Sequence, residues 1–409
     1  MLRKLISLAL VPVAFACALS AADSSTRVLN GIDVLRRDNF APLAGKKIGL
    51  VTNHTGLAAD GTSTIDLLYK CGVCKLTALF SPEHGIRGTA DERVTSTKDE
   101  ATGLPIYSLF GETLKPSVEV LRQLDVLVYD ILDVGVRFYT YETTLAYCME
   151  SAARAGIPIY VLDRPNPIGG IKVEGPMLDP DKTSFVGYMP LPVRHGMTQG
   201  ELAKYFNVEN KIGADLRVVE MAGWRRSYYF NDTGQLWVNP SPNMRSLLEA
   251  IFYPGVCLLE RTNVSLGRGT DRPFEIVGAP WVEPGRLAAA LEAARVPGVK
   301  FYPIYFTPNA SVFAGDKCGG VNLLLTDEEK FNSVLAGLTL ISALYKLYPD
   351  RFQIDKTLLL LGNQQALNEL KAGHTPASVL QNADPLLRAF LNRRQQALIY
   401  GQAPKEGRR

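Results

Sequence analysis

Residues 125–162 read DVLVYDILDVGVRFYTYETTLAYCMESAARAGIPIYVL. Two apolar runs, Asp125–Ile131 and Ile157–Leu162, flank a stretch that fits a helix, Tyr141–Ala155, closed by Gly156. A strand with no polar alternation must be covered on both faces, which is the condition of a strand inside a parallel sheet. Two such runs joined through a helix make a βαβ unit. The same alternation continues upstream, with strands at Lys46–Thr52 and Lys75–Phe80 and helices at Thr64–Lys70 and Pro116–Leu124, the last with proline in its first turn. The predicted fold class is α/β, a Rossmann-like, doubly wound parallel sheet.

Further along, Thr198-Gln199-Gly200-Glu201 has the form of a capping box opening a helix to Phe206, so Glu201 reads as structural. A strand at Leu216–Met221, an irregular aromatic stretch from Trp224 to Met244 and a helix at Ser246–Ile251 follow. A second, smaller α/β unit begins near Tyr253. It has helices at Gly285–Ala294 and Asp327–Leu347, strands at Val299–Phe306 and Val321–Leu325, and a helical tail over Pro385–Tyr400. The expected organisation is a signal peptide over 1–22, an N-terminal catalytic domain over 28–252 and a C-terminal α/β domain over 253–403 that completes a cleft. No low-complexity linker separates the two domains, so they should pack closely.

The leader reading rests on Arg3 and Lys4, the apolar run Leu5–Ala18 and the small residues through Ala22, a run too short to span a bilayer comfortably. It implies export to a periplasmic or extracellular destination, with no stable membrane insertion. Lipidation at Cys17 is the alternative, although Ala14-Phe15-Ala16 makes a poor lipobox. Loss of Arg3 and Lys4 takes the basic residues from 44 to 42 against 41 acidic ones, and a near-neutral chain lacks the basic excess of a nucleic-acid surface. The remaining cysteines, Cys71, Cys74, Cys148, Cys257 and Cys318, are odd in number and form no disulfide framework. Cys71 and Cys74 read as core residues or a local bridge.

In open α/β sheets ligands bind beyond the carboxyl ends of the strands. All four N-terminal strands end in polar, turn-rich segments, and these supply the candidate site: Asn53 and His54; Glu83, His84 and Arg87; Asp130, Asp133, Arg137, Tyr139 and Tyr141; Arg164 and Asn166. Two later segments add Asn239 and Asn243, suited to a hydroxyl-rich ligand, and Arg268 and Arg272, suited to hold a carboxylate. No G-x-S-x-G elbow, P-loop, H-E-x-x-H or strand-linked G-x-G-x-x-G is present. The four histidines, His54, His84, His195 and His374, are too dispersed for a zinc site, so neither metal nor cofactor is expected. Carboxylate acid/base chemistry on a neutral or anionic substrate is what remains.

Five blocks together resemble the exo-β-N-acetylmuramidases of the NamZ type, also known as the DUF1343 family: SPEHGIRG (81–88), DVGVRFYTY (133–141), DRPNPIGG (163–170), NPSPNM (239–244) and TNVSLGRGTDRPFE (262–275). Leu132 and Arg261 depart from the pattern, standing where a glutamine and a glycine are expected. The resemblance implies release of terminal N-acetylmuramic acid from the non-reducing ends of peptidoglycan fragments in cell-wall turnover. It also places the family's catalytic glutamate at Glu83. His84 would tune or orient that carboxyl, and the arginines would meet the sugar's lactyl carboxylate. Asp133 and Asp130 are candidates for the second catalytic group, with the substrate's own acetamido group as a further possibility. The competing readings are a non-catalytic cell-wall sugar-binding protein and an exported hydrolase of another carboxylated sugar.

Overall fold

The computed structural model describes residues 27–86 and 97–401. The first unit contains α1 (Gly31–Arg37), β1 (Lys47–Thr52), α2 (Thr64–Lys70), β2 (Lys75–Ser81), β3 (Thr97–Lys98), β4 (Pro105–Ser108), α3 (Val118–Leu121), β5 (Val126–Asp130), α4 (Tyr141–Ala155), β6 (Ile159–Leu162), a hairpin of β7 (Glu174–Met177) and β8 (Pro192–Arg194), α5 (Gln199–Glu209) and β9 (Leu216–Val219). One sheet runs in the order β3-β4-β2-β1-β5-β6-β9, with only the β3–β4 pair antiparallel. The strand order reverses between β1 and β5, which is where an open α/β sheet forms its crevice.

The lack of polar alternation has the expected cause. In β5, Val126 and Val128 face one core with α1 and α2, while Leu127 and Tyr129 face a larger core with α4 and α5. Each face removes its own apolar area from water, at about 25 cal/mol per Å². Gly156 ends α4 at φ 74°, and Thr198 and Glu201 form the capping box of α5. Glu201 is further committed by a two-pronged ion pair with the buried Arg226.

The second unit contains α6 (Leu247–Val256), β10 (Ile276–Ala279), α7 (Pro284–Ala293), β11 (Val299–Phe306), β12 (Cys318–Leu325), α8 (Ser333–Leu347), α9 (Leu358–Leu361), α10 (Gln364–Lys371) and α11 (Pro376–Arg394). Its antiparallel sheet has the order β10-β12-β11. The larger core runs without a break from α4 and α5 into α6, α7 and α8, so the two units are packed together as expected.

Several elements differ from the sequence expectation. The helix over Pro116–Leu124 contracts to α3, because Ser117 caps it and the chain turns again by Leu124. The long helix starts at Ser333, where Asn332 accepts from Leu335 N–H, so 327–331 is a turn. The tail helix starts nine residues early, with Thr375 as cap and Pro376 in its first turn, and it returns to the first unit. There Arg394 donates to the His195 carbonyl and Tyr400 to Asp163. The Cys71 and Cys74 sulfurs lie 3.2 Å apart beside the start of β2.

Helices α6 and α8 cross at two glycines. A Cβ on Gly255 would stand 1.8 Å from the Ser333 carbonyl oxygen, and one on Gly337 would stand 2.2 Å from the Gly255 carbonyl oxygen. The chain in and after α6 supplies Tyr253, Cys257 and Glu260 to the cavity at the strand ends. Gly255→Ala should therefore cost about 1–3 kcal/mol and lower the melting temperature. An unchanged melting curve would show that α6 and α8 separate freely.

Candidate active site

Strand β2 ends at Ser81, and Gly85 N–H closes a turn onto the Pro82 carbonyl at 3.1 Å. His84 and Gly85 both sit in the left-handed region, at φ 69° and 77°. For histidine that conformation has an energetic cost and must be enforced by the surroundings, a pattern typical of functional turns. The turn presents the half-buried Glu83. Thr140, at the N-cap position of α4, makes no side-chain cap bond to its own helix and directs its hydroxyl to Glu83 Oε2. Tyr141 follows. Its phenol donates to the Pro240 carbonyl at 2.9 Å and accepts from Asn53 Nδ2 at 3.0 Å, and the Glu83 carbonyl lies 3.4 Å away.

Glu83, His84, Thr140 and Tyr141 line a cavity of about 520 Å³ between the strand ends and the second unit. Tyr139 meets Tyr141 edge to face at 5.1 Å between ring centres, Tyr253 at 5.9 Å, and Tyr253 meets Phe274 at 4.9 Å. The lining also includes Ser241, Asn243, Glu260, Arg261, Arg268 and Ser311. Arg268 Nε lies 2.9 Å from Glu260 Oε1, and its guanidinium covers the Phe274 ring at 5.1 Å. Burial pushes the phenols of Tyr139, Tyr141 and Tyr253 and the thiol of Cys257 well above their ordinary ranges, so all four are neutral. Aromatic faces beside hydroxyl and amide groups suit a sugar ring, and the arginines suit an anionic substituent.

The sequence candidates fall into distinct places. Glu83, His84, Tyr139, Tyr141, Asn243 and Arg268 line the cavity. Asn53 is one bond behind it through Tyr141, and His54 Nε2 bonds the Asn239 carbonyl at 2.6 Å, with burial and the nearby His84 lowering its basicity. Asp130 and Arg164 form a buried ion pair away from the lining. Arg137 is buried and ties the carbonyls of Leu191, Leu360 and Leu361. Asn166 bonds the Met197 carbonyl and packs against Gly135, whose φ of 77° and lack of a Cβ permit the approach. Arg272 is exposed and contacts Asn322. Arg87, Cys17 and the leader 1–22 lie outside the described residues. Sequence reasoning missed Thr140, Ser241, Tyr253, Glu260, Arg261 and Ser311 as lining groups. Thr140 and Ser241 lie inside the family blocks, and Glu260 shortly precedes one.

Asp133 is also buried and does not line the cavity. It joins Glu142 and His195, with one ligating atom from each within 4.8 Å of the others, the one group of this kind among the described residues. His195 Nδ1 accepts the Met197 N–H at 3.1 Å, which leaves the ring proton on Nε2, 2.6 Å from Glu142 Oε1. A cation among these three groups would need a bare Nε2. The arrangement instead has Glu142 Oε1 accepting the ring N–H, with the Asp133 carboxyl close by. Asp133 Oδ1 accepts Gly135 N–H, and Asp133 Oδ2 has no donor of its own.

Burial pushes Asp133 well above the usual carboxyl range, with the Glu142 carboxyl adding to the shift, and carries Glu142 up to about 8. It pushes His195 down to about 4. A raised carboxyl stabilises the fold fully below its unfolded value of 4.5, and that stability is lost as pH rises through about 8. The lowered histidine acts oppositely: its contribution is complete above 6.5 and is lost as pH falls through about 4. The melting temperature should therefore fall between about pH 6.5 and 8, and Asp133→Asn, which donates at every pH, should flatten that decline. An equal decline in the variant would show that the Asp133 carboxyl does not contribute to it.

Comparison with known proteins agrees with this architecture. The family model described as exo-beta-N-acetylmuramidase NamZ, N-terminal, matches residues 48–248, and its C-terminal counterpart matches 251–400. The peptidoglycan beta-N-acetylmuramidase NamZ of Bacillus subtilis (strain 168) is 46% identical over 379 residues, covering 91% of this chain and 92% of that protein. Crystal structures of two DUF1343 family proteins of Bacteroides fragilis NCTC 9343 each cover 92% of this chain and 99% of their own. BF0371 superposes with a TM-score of 0.85 at 35% identity, and BF0379 with 0.76 at 33%. With both family models matched in order along a Rossmann-like sheet and the smaller unit that closes its crevice, this chain belongs to the NamZ exo-β-N-acetylmuramidase family.

Proposed function

We infer that this chain is an exo-acting glycosidase that releases terminal β-linked N-acetylmuramic acid from the non-reducing ends of peptidoglycan fragments. The carrying observation is Glu83, a carboxyl fixed by a strained turn and by Thr140 at the edge of a cavity rich in aromatic rings and arginines. At about 520 Å³ the cavity is in the range of a single small-molecule site, roughly 300–1,000 Å³, as terminal-residue cleavage requires.

Hydrolysis needs a proton delivered to the leaving oxygen while the anomeric carbon becomes oxocarbenium-like. Glu83 is positioned for that delivery, with Thr140 as its positioning residue. Tyr139 and Tyr141 offer rings for the sugar face, and the exposed Arg261 offers the lactyl carboxylate a cation, while Arg268 is paired with Glu260. Glu83→Gln keeps the shape and removes the transferable proton. It should lower kcat for release of free N-acetylmuramic acid from a terminal disaccharide by about 10²–10⁴-fold, with the melting temperature unchanged. Normal turnover by the folded variant would remove Glu83 from this role. Saturable binding without product in the wild type would favour a sugar-binding protein. Cleavage of other carboxylated sugars in a chromogenic panel, but not of this one, would favour a different hydrolase.

The same reading includes export, motivated by Arg3, Lys4 and the apolar run to Ala18. Among the described residues no helix is long and apolar enough to cross a membrane. Mass analysis of the mature N-terminus should place cleavage near Ala22. A lipid-modified Cys17 would replace that expectation, and retention of Met1 would overturn it.

A further inference from the structure

We propose that Glu260 is the second carboxylate of the reaction, acting as base towards the water that attacks the anomeric carbon while Glu83 protonates the leaving oxygen. This assignment rests on the glycosidase reading above. Among the described residues, the carboxyls lining the cavity are Glu83 and Glu260, and they arrive from different units of the fold. Glu83 is carried by the turn after β2, whereas Glu260 follows α6 and its short helical extension. Asp130 and Asp133 have other partners inside the framework and do not reach the lining.

The cavity's phenols and its thiol are poor alternatives, because burial keeps Tyr139, Tyr141, Tyr253 and Cys257 in their neutral forms. His84 is adjacent to Glu83 on the same turn, whereas direct displacement needs the water on the face away from the leaving oxygen. Glu260 instead comes to the lining from the other unit of the fold. Arg268 Nε holds its Oε1 at 2.9 Å, and the Cys257 thiol donates to its Oε2 at 3.4 Å. These contacts orient the carboxylate within the cavity lining. Arg268 is then a positioning residue for Glu260, and the exposed Arg261 beside it is the cation available to the substrate's carboxylate.

The step balances without a cofactor. The bond between the anomeric carbon and the bridging oxygen breaks, its electron pair goes to that oxygen, and the Glu83 proton joins it. The water oxygen bonds to the anomeric carbon and passes its proton to Glu260. Free N-acetylmuramic acid and an alcohol leave, with Glu83 as carboxylate and Glu260 as acid. One proton exchanged with solvent restores both.

The test compares wild type, Glu83→Gln, Glu260→Gln and Glu260→Ala on the disaccharide and on a nitrophenyl β-N-acetylmuramide, whose leaving group needs no protonation. Glu260→Gln should lose about 10²–10⁴-fold in kcat on both substrates, with KM little changed. Glu83→Gln should recover on the nitrophenyl glycoside. Azide should restore turnover by Glu260→Ala and yield the α-glycosyl azide, which also shows that the variant is folded. The first-formed wild-type product should be the α-anomer by NMR. A Glu260→Gln enzyme with normal kcat and only a raised KM would overturn the assignment and leave Glu260 as a support for Arg268. A β-anomer as first product would overturn the base role. A wild type inactive on both substrates would instead refute the glycosidase reading, and the assignment with it.

Discussion

The buried ion pair between Asp130 and Arg164 is the constraint on which the site's geometry depends. Asp130 ends β5 with no exposed surface, and Arg164, 4% exposed, follows β6. The guanidinium meets both carboxylate oxygens, at 2.5 and 2.9 Å, and Thr64 from the start of α2 donates to the same carboxylate at 2.5 Å. Arg164 also reaches the Leu57 carbonyl in the segment after β1. One fully desolvated pair therefore ties the segments after three adjacent strands at the point where the sheet's order reverses. Such a pair adds little net stability over a well-packed apolar substitute, but removing one partner costs about 3–5 kcal/mol. Its contribution here is to specify a single arrangement of those segments.

From that knot a chain of hydrogen bonds leads to the cavity. Thr55 donates to Asn53 Oδ1 and accepts Leu132 N–H, which couples the segments after β1 and β5. Asn53 then donates to the Tyr141 phenol, which is held in turn on the Pro240 carbonyl. Tyr141 and Thr140 begin α4, and Thr140 bonds the Glu83 carboxyl. Orientation is thus transmitted to Glu83 through groups that are themselves satisfied, as a preorganised catalytic side chain requires. The Asp133, Glu142 and His195 cluster supports the same segment from beneath, since Asp133 and Glu142 bracket residues 134–141.

Much of this is legible in the amino-acid sequence. The polar strand-end segments are recognisable as one edge of a parallel sheet, and Glu83, Tyr139, Tyr141, Asn243 and Arg268 do line a common cavity. What the residues in their order do not reveal is which polar groups face the cavity and which hold the framework. Asp130, Arg137, Arg164 and Asn166 have the composition of ligand-binding groups, yet each is spent on an internal partner. A buried arginine that ties carbonyls and an exposed arginine that awaits a substrate look the same in a sequence. Glu260 carries no motif signal of its own, Arg261 stands out only as a departure from the family pattern, and Ser311 comes from a loop whose approach to the strand ends no local pattern encodes.

The sequence by itself determined the main alternation of buried strands and helices, the burial of both sheet faces and the sharp exit that presents Glu83, because these follow from local periodicity and from the backbone limits of proline and glycine; the short strands β3, β4, β7, β8 and β10 carry no such periodicity. Only the tertiary structure decided which loop side chains turn inward, joined His195 to Asp133 and Glu142, and brought Glu260 to the cavity that holds Glu83. The physical reason is that side-chain direction in loops is set by contacts between residues far apart in the chain. Residue 83 meets 140, and 130 meets 164, once the strands between them have paired.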